Sequence, residues 1–324
     1  MLLRRLAAPV ALVAALVFPA TAAAAPFADR VVERVSARAA QVPVRYPTPD
    51  GMTVAITAPD PAVAERYAAF LGTLPHGPEL AQLNVLVVGV TEIARACGAR
   101  ADEGVVACYG AFDKTMIVPD ATPPDSTYSV EYVLTHEYGH HVAAHRSNAP
   151  LPALDWGPKR WSSYELVCIN AFRGRLAPGD EGEDYLSNPG EAWAEAYARL
   201  VFPGEAWRFT SLLRPTQGSL LAAMADVAEP WTKRATATFK GRGSKAFRLP
   251  LTLDGAFTVK VDARKRAKYD IILRSGGRLI ERSSRKRIHF RIACRDRRTE
   301  TVTIKIKRMS GPSTPYTLQV RYAG

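Results

Sequence analysis

The sequence predicts an α+β domain followed by an all-β sandwich domain. Between residues 25 and 231, strand-like runs come first and helix-like runs follow, which is the order of an α+β domain. Beyond residue 232, short alternating apolar runs recur with turn residues between them, the pattern of a sandwich. The charge changes at the same place. Residues 232–324 hold 25 Lys and Arg against 6 Asp and Glu, whereas residues 1–231 hold 18 against 25. The net charge of +12 is therefore a property of the C-terminal segment, and Pro230-Trp231 marks the boundary. A length of 324 residues suits two domains of ordinary size.

Residues 1–24 read as a secretory signal. Arg4-Arg5 form its basic start, Ala7 to Phe18 are apolar apart from one proline, and Ala22-Ala23-Ala24 offer a small-residue cleavage site. That apolar run falls short of the ~20 residues a membrane span needs, and no later stretch is long enough. The expectation is an exported, extracellular protein without a transmembrane segment, beginning at Ala25. Export changes how Cys97, Cys108, Cys168 and Cys294 are read, because disulfides persist outside the cell. Four cysteines allow three pairings. Cys97 and Cys108 flank a turn-rich insert, which favours a bridge across a hairpin. Cys168 then pairs with Cys294 by default or stays a buried free thiol. The absence of C-x-x-C disfavours a thiolate zinc site.

In the first domain, Pro26 to Ala40 fits a short amphipathic helix and holds no cysteine that could block a metal. Met52 to Thr57 reads as a strand and Pro61 to Leu71 as a helix. Leu83 to Val90, Val105 to Tyr109 and Thr115 to Val118 read as strands, giving a small sheet. A long helix should run from Asp125-Ser126, which follow Pro123-Pro124 and suit an N-cap, to about His145. After a loop, helices are expected over 161–172, 189–202, 204–213 and 219–228.

The long helix carries His136-Glu137-Tyr138-Gly139-His140. Histidines at i and i+4 share one helical face and can reach one ion at about 2.0–2.1 Å, the Zn–N distance. The glutamate between them stands beside the metal, where it can take a proton from water; H-E-x-x-H on a helix is the metallopeptidase signature with this mechanism. Val130, Leu134, Tyr138 and Val142 form a separate apolar stripe. Gly139 costs about 1 kcal/mol of helix propensity, which implies that something packs close to the backbone there. His141 and His145 lie off the ligand face and are expected at the surface or packed behind the site. His76 and His289 have no motif context.

Catalytic zinc usually takes three protein ligands. Asn188-Pro189-Gly190-Glu191-Ala192-Trp193-Ala194-Glu195-Ala196-Tyr197-Ala198 places Glu191 and Glu195 one turn apart on a mostly apolar helix. Two carboxylates on a buried helix need a partner charge, and Zn2+ fits. Glu165 is a rival third ligand, and Asp155 a more distant one. The helix-borne H-E-Y-G-H with a distant E-x-x-A-E helix resembles the gluzincin metallopeptidases, most of all those whose second motif reads N-P-x-E-x-x-A-E-A. The resemblance spans roughly residues 80–202. It implies a zincin-like fold, with His136, His140 and Glu191 as zinc ligands and Glu137 as the catalytic base. Glu195 would accept the other ring N–H of a ligand histidine, and Tyr185 is the candidate donor to the oxyanion. The more familiar N-E-x-x-S-D motif is absent, as is an H-x-x-G-x-x-H continuation.

The implied function is a secreted zinc metallopeptidase that hydrolyses peptide bonds of a protein or peptide substrate by a Glu-assisted zinc-bound water. Two readings compete with it. One is a surface- or cell-wall-binding protein with a structural zinc site, and the other is a wall-peptide amidase. A retained glutamate beside two histidines argues against a purely structural site, which four protein ligands would close.

In the tail, strands are expected over 247–253, 257–261, 269–273, 288–293, 301–306 and 316–320. Tyr269 to Leu273 and Tyr316 to Val320 are weakly similar to C-terminal sandwich domains of secreted bacterial peptidases. The basic clusters of the tail, such as Arg264-Lys265-Arg266 and Arg285-Lys286-Arg287, suit either a solvated face or attraction to an anionic surface, such as a cell-surface polymer, lipid headgroups or an acidic protein. Nucleic acid is disfavoured because export removes the usual target and no recognition motif is visible.

Overall fold

A computed structural model describes residues 31–32, 42–122, 127–264 and 266–324. The expected signal at 1–24 and the N-cap pair Asp125-Ser126 lie outside the described residues. The N-terminal part is α+β. Its strands are β1 (Val31–Val32), β2 (Val44–Pro47), β3 (Thr53–Thr57), β4 (Asn84–Val88), β5 (Cys108–Gly110) and β6 (Thr115–Pro119). They form one sheet in the order β1-β5-β6-β4-β3-β2. β4 runs parallel to β3 and β6, whereas β5 is antiparallel to β6. The helix expected over 26–40 is corrected at Val31–Val32, which pair in extended conformation with β5.

The helices are α1 (Pro61–Leu71), α2 (Ile93–Ala96), α3 (Val130–Ala144), α4 (Ala153–Trp156), α5 (Lys159–Tyr164), α6 (Val167–Phe172), α7 (Pro189–Val201) and α8 (Gln217–Ala228). α1 has the expected bounds, set by Asp60 accepting from Ala62 N–H and by Pro61 at its first position. The helix expected over 161–172 is two helices, because Leu166 takes a left-handed φ of 56° between them. The helix expected over 204–213 is not formed. Trp207 and Phe209 pack into the core beside Tyr185, and Trp207 Nε1 donates to the Thr210 carbonyl, so only Ser211–Leu213 makes a short 3-10 turn. Side-chain burial overrides local propensity here. Val54, Ile56, Val85 and Val87 of the sheet share one core with Leu134, Tyr138, Trp193 and Tyr197 of α3 and α7.

The C-terminal part consists of antiparallel sheets. Its strands are β7 (Arg234–Arg242), β8 (Lys245–Leu251), β9 (Gly255–Ala263), β10 (Lys268–Ser275), β11 (Arg278–Ser283), β12 (Arg287–Ala293), β13 (Glu300–Ser310) and β14 (Pro315–Ala323). The sheet orders are β11-β10-β13-β8 and β12-β9-β14-β7. Ile271, Leu273, Ile304 and Ile306 of one sheet share a core with Val259, Val261, Leu318 and Val320 of the other. Lysines and arginines take the alternate, outward positions that period-2 geometry provides.

Both disulfides form, Cys97–Cys108 and Cys168–Cys294, and the second ties the two parts together. Beside it, the buried Lys159 ammonium donates to the carbonyls of Asn148, Ala149 and Asp254 at 3.0, 2.9 and 3.0 Å. Three acceptors match its three donors, though burial still pulls its pKa down to about 8. Arg295 completes the junction by pairing with Asp254 at 3.3 Å and donating to the Ser163 carbonyl. Among the described residues no helix is long and apolar enough to cross a membrane.

Candidate metal centre

α3 begins at Ser129, whose side chain accepts from the Tyr132 N–H; this corrects the expected start by several residues. From Val130 to Ala143 every residue is buried except Glu131, so the helix runs through the core rather than presenting one apolar face. A Cβ on Gly139 would come within 2.9 Å of Ala194 Cα. Glycine thus lets α7 lie directly against α3, and Trp193 Nε1 donates to the Gly139 carbonyl at 3.0 Å. α7 starts at Asn188, whose side chain accepts from Gly190 N–H, with Pro189 at the first helical position. Its residues Pro189 to Ala198 are all buried. These two caps and this close contact fix Glu191 opposite His136 and His140.

His136, His140 and Glu191 are the one group of three potential metal ligands among the described residues, with ligand atoms all within 4.8 Å of one another. The Nε2 atoms of His136 and His140 each lie 3.4 Å from the same Glu191 oxygen, Oε2. All three residues are 0% exposed. A tetrahedron with metal–ligand bonds of 2.0–2.1 Å has edges of about 3.3–3.4 Å, so the two separations from Glu191 Oε2 suit ligands around an ion.

The tautomer strengthens the fit. His136 Nδ1 lies 3.3 Å from Glu195 Oε2, and a carboxylate there takes the ring N–H. The Nε2 lone pair of neutral His136 then faces a carboxylate oxygen. A proton could neutralise one such contact, but a divalent ion neutralises both histidine contacts at once and matches the spacing. Glu191 Oε1 has no hydrogen-bond partner among the described residues, which leaves that lone pair for the same ion.

Glu195 is itself pinned by Arg208, whose guanidinium donates to Oε2 at 2.8 Å. Burial pushes the Glu195 carboxyl up, but the bond from His136 and the charge of Arg208 outweigh it and hold the pKa at about 2. Arg208 also lies over the Tyr128 and Phe209 rings, 4.9 and 5.6 Å from their centroids. The sequence offered no sign of Arg208: it falls in a stretch that reads as helix, and nothing in Trp207-Arg208-Phe209 announces a charge turned inward. Tyr185 reaches the centre, its hydroxyl donating to Glu191 Oε2 at 3.2 Å. Glu137 is 0% exposed on α3 between the two histidines.

The rival ligands stand elsewhere. Glu165 lies 3.8 Å from Arg298 at the junction between the two parts, and burial raises its pKa despite the Ser219 hydroxyl and the charge of Arg298. Asp155 contacts the Gly179 loop. Of the two positions expected for His141, surface or packed behind the site, it takes the buried one, with Nδ1 3.1 Å from Tyr109 Oη and Nε2 2.9 Å from the Glu79 carbonyl. Burial drives its pKa down to about 3, so it stays neutral. The His145 ring lies tilted against His141, with centroids 4.4 Å apart, His76 pairs with Asp50 at 3.3 Å, and His289 meets Thr258.

No protein-family model matches this sequence, and no curated protein matches it significantly.

Proposed function

We propose that this chain is an exported zinc-dependent metallopeptidase of gluzincin type. The observation that carries this reading is the convergence of two histidine Nε2 atoms on one carboxylate oxygen at 3.4 Å each, with Glu137 between those histidines on the same helix. His136, His140 and Glu191 would hold the ion, which is zinc by the chemistry of a two-imidazole, one-carboxylate set with an open position. When bound, zinc supplies Lewis acidity, polarising a scissile carbonyl and making water acid enough to lose a proton near pH ~7. Glu137 takes that proton and passes it to the leaving amine. Tyr185 presents its hydroxyl within the centre, suited to donate to an oxygen on which negative charge develops. Glu195 and Arg208 hold the His136 ring in the tautomer that leaves Nε2 for the ion. The sheet that precedes α3 suits a zincin-like domain. The two disulfides suit an oxidising compartment.

The basic β part is proposed to hold the enzyme near an anionic cell-surface polymer. Two of its six carboxylates, Asp254 and Asp270, are buried against Arg295 and Arg282, so cationic side chains far outnumber acidic ones on its outer surface. Attraction of this kind weakens with salt.

The test of the catalytic reading is hydrolysis of a mixed peptide library by the mature protein and by Glu137→Ala at equal zinc content. Loss of the base should lower kcat/KM by about 10²–10⁴-fold without loss of metal. Equal cleavage by both proteins would remove Glu137 from the mechanism. No cleavage by the zinc-loaded wild type would favour the surface-binding reading.

A further inference from the structure

β1 is only two residues long, yet it is held on both sides. Val31 pairs with Tyr109 and Val32 with Gly110, and the Val32 carbonyl accepts from Ala111 N–H at 2.9 Å. Alternate backbone groups of a strand face opposite ways. The Val31 N–H accordingly turns away from β5 and donates to Glu181 Oε2 at 3.3 Å. Glu181 accepts in turn from Asn188 Nδ2 at 3.0 Å, and Asn188 caps α7 just before Glu191. On the other side, the Tyr109 ring lies nearly parallel to His140, with centroids 6.4 Å apart. Two residues of main chain thus bridge the strand that packs on one candidate ligand and the loop that sets another.

The candidate centre is closed. His136, Glu137, His140 and Glu191 are each 0% exposed, so no peptide bond reaches them with the chain in this arrangement. β5 is the sheet edge once β1 is set aside, and an unpaired edge accepts another extended chain. The hold on β1 is weak. Val31 and Val32 are only partly buried, and each backbone hydrogen bond contributes about 1 kcal/mol net.

We propose that Val31–Val32 is an intramolecular plug: its main chain fills the strand position at the β5 edge and must leave before an extended peptide can reach Glu137. The plug regulates the metallopeptidase site and so rests on that reading. Proline at both positions would remove the N–H groups that face Glu181 and β5.

The test compares zinc-loaded mature wild type with Val31→Pro/Val32→Pro in three readouts: amide exchange at Ala111, withdrawal of zinc by excess EDTA, and peptide hydrolysis. In the variant, Ala111 should exchange about tenfold faster or more, the effect of losing one or two hydrogen bonds of ordinary net strength, while β4 amides keep their protection and report an intact fold. Zinc withdrawal and hydrolysis should accelerate with it. Faster withdrawal with no hydrolysis by either protein would retain the plug and remove the peptidase reading. The plug is overturned if Ala111 is already unprotected in the wild type, or if it is freed with no change in zinc withdrawal.

Discussion

Glu79 and Glu191 are both buried carboxylates facing α3, and their surroundings are opposite in kind. Glu79 is ringed by donors. Arg146 grips it with Nη1 and Nη2 at 3.1 and 3.2 Å, Gly77 N–H donates at 2.7 Å, and Tyr138 Oη stands at 3.4 Å. Arg146 also donates to the Asp226 and Val227 carbonyls in the last turn of α8, which helical geometry leaves without intrahelical partners. Every charge in that cluster is answered by protein. Glu191 receives one hydroxyl, from Tyr185, and otherwise meets two imidazole nitrogens, at least one with its lone pair turned inward. A polar cluster complete in itself is a structural pin. One in which acceptors face each other among the described residues suits a cation between them. The same helix serves both, with Tyr138 and His141 on the pinned side and His136 and His140 on the open one.

The comparison can be broken most directly by removing each carboxylate from metal-free protein. Glu79→Ala leaves the Arg146 guanidinium buried without its partner, and denaturant unfolding should show a loss of about 3–5 kcal/mol. Glu191→Ala relieves a crowding of acceptors, so its loss should be clearly smaller, or none. Equal losses would mean that both clusters are structural. Added zinc should reverse the ranking at the second site, since an ion that binds only the folded chain stabilises it, and the Glu191 variant would forgo that gain.

Arg208 sharpens the contrast at a smaller scale. Without its guanidinium, Glu195 orients His136 less firmly, and zinc affinity in a chelator competition should fall by about 10–100-fold for Arg208→Ala. The Glu79 cluster should keep its stability in that variant. An unchanged affinity would make Arg208 a packing residue only.

The pH dependence gives the smallest effect. Burial pushes the Glu79 carboxyl up, but the Arg146 bonds and the Gly77 N–H outweigh it and leave the pKa below the ordinary 4.5. The unfolded chain therefore takes up the proton first as pH falls. This contribution to stability is complete above pH 4.5 and is lost below it. In Glu79→Gln the slope of stability against pH in that acid window should flatten; an unchanged slope would assign the acid loss to other groups.

The chemistry at the centre was more legible than its support. His136, His140, Glu191 and Glu195 show themselves because helical periodicity converts spacing into a shared face, and alanines around the glutamates imply burial. Gly139 revealed a close neighbour through its own unsuitability for a helix. Arg208 and the Glu79–Arg146 pair depend on contacts across 13 and 67 positions, which no local pattern encodes. The same limit explains the break at Leu166 and the absent helix before Ser211, where packing of Trp207 and Phe209 decided the backbone. In the β part, β7 and β11 escaped notice because their outward positions dilute the apolar alternation: β11 reads Arg278 to Ser283 with no buried residue.

His136, His140 and Glu191 together could hold one metal ion. X-ray absorption at the zinc edge on protein dialysed against one equivalent of zinc tests it most directly. Full retention is expected, with two nitrogen ligands at about 2.0–2.1 Å and oxygen completing the shell. Glu191→Ala should lose an oxygen while Glu79→Ala leaves the spectrum unchanged. Zinc lost on dialysis, or held in a shell that Glu191→Ala does not alter, would contradict it.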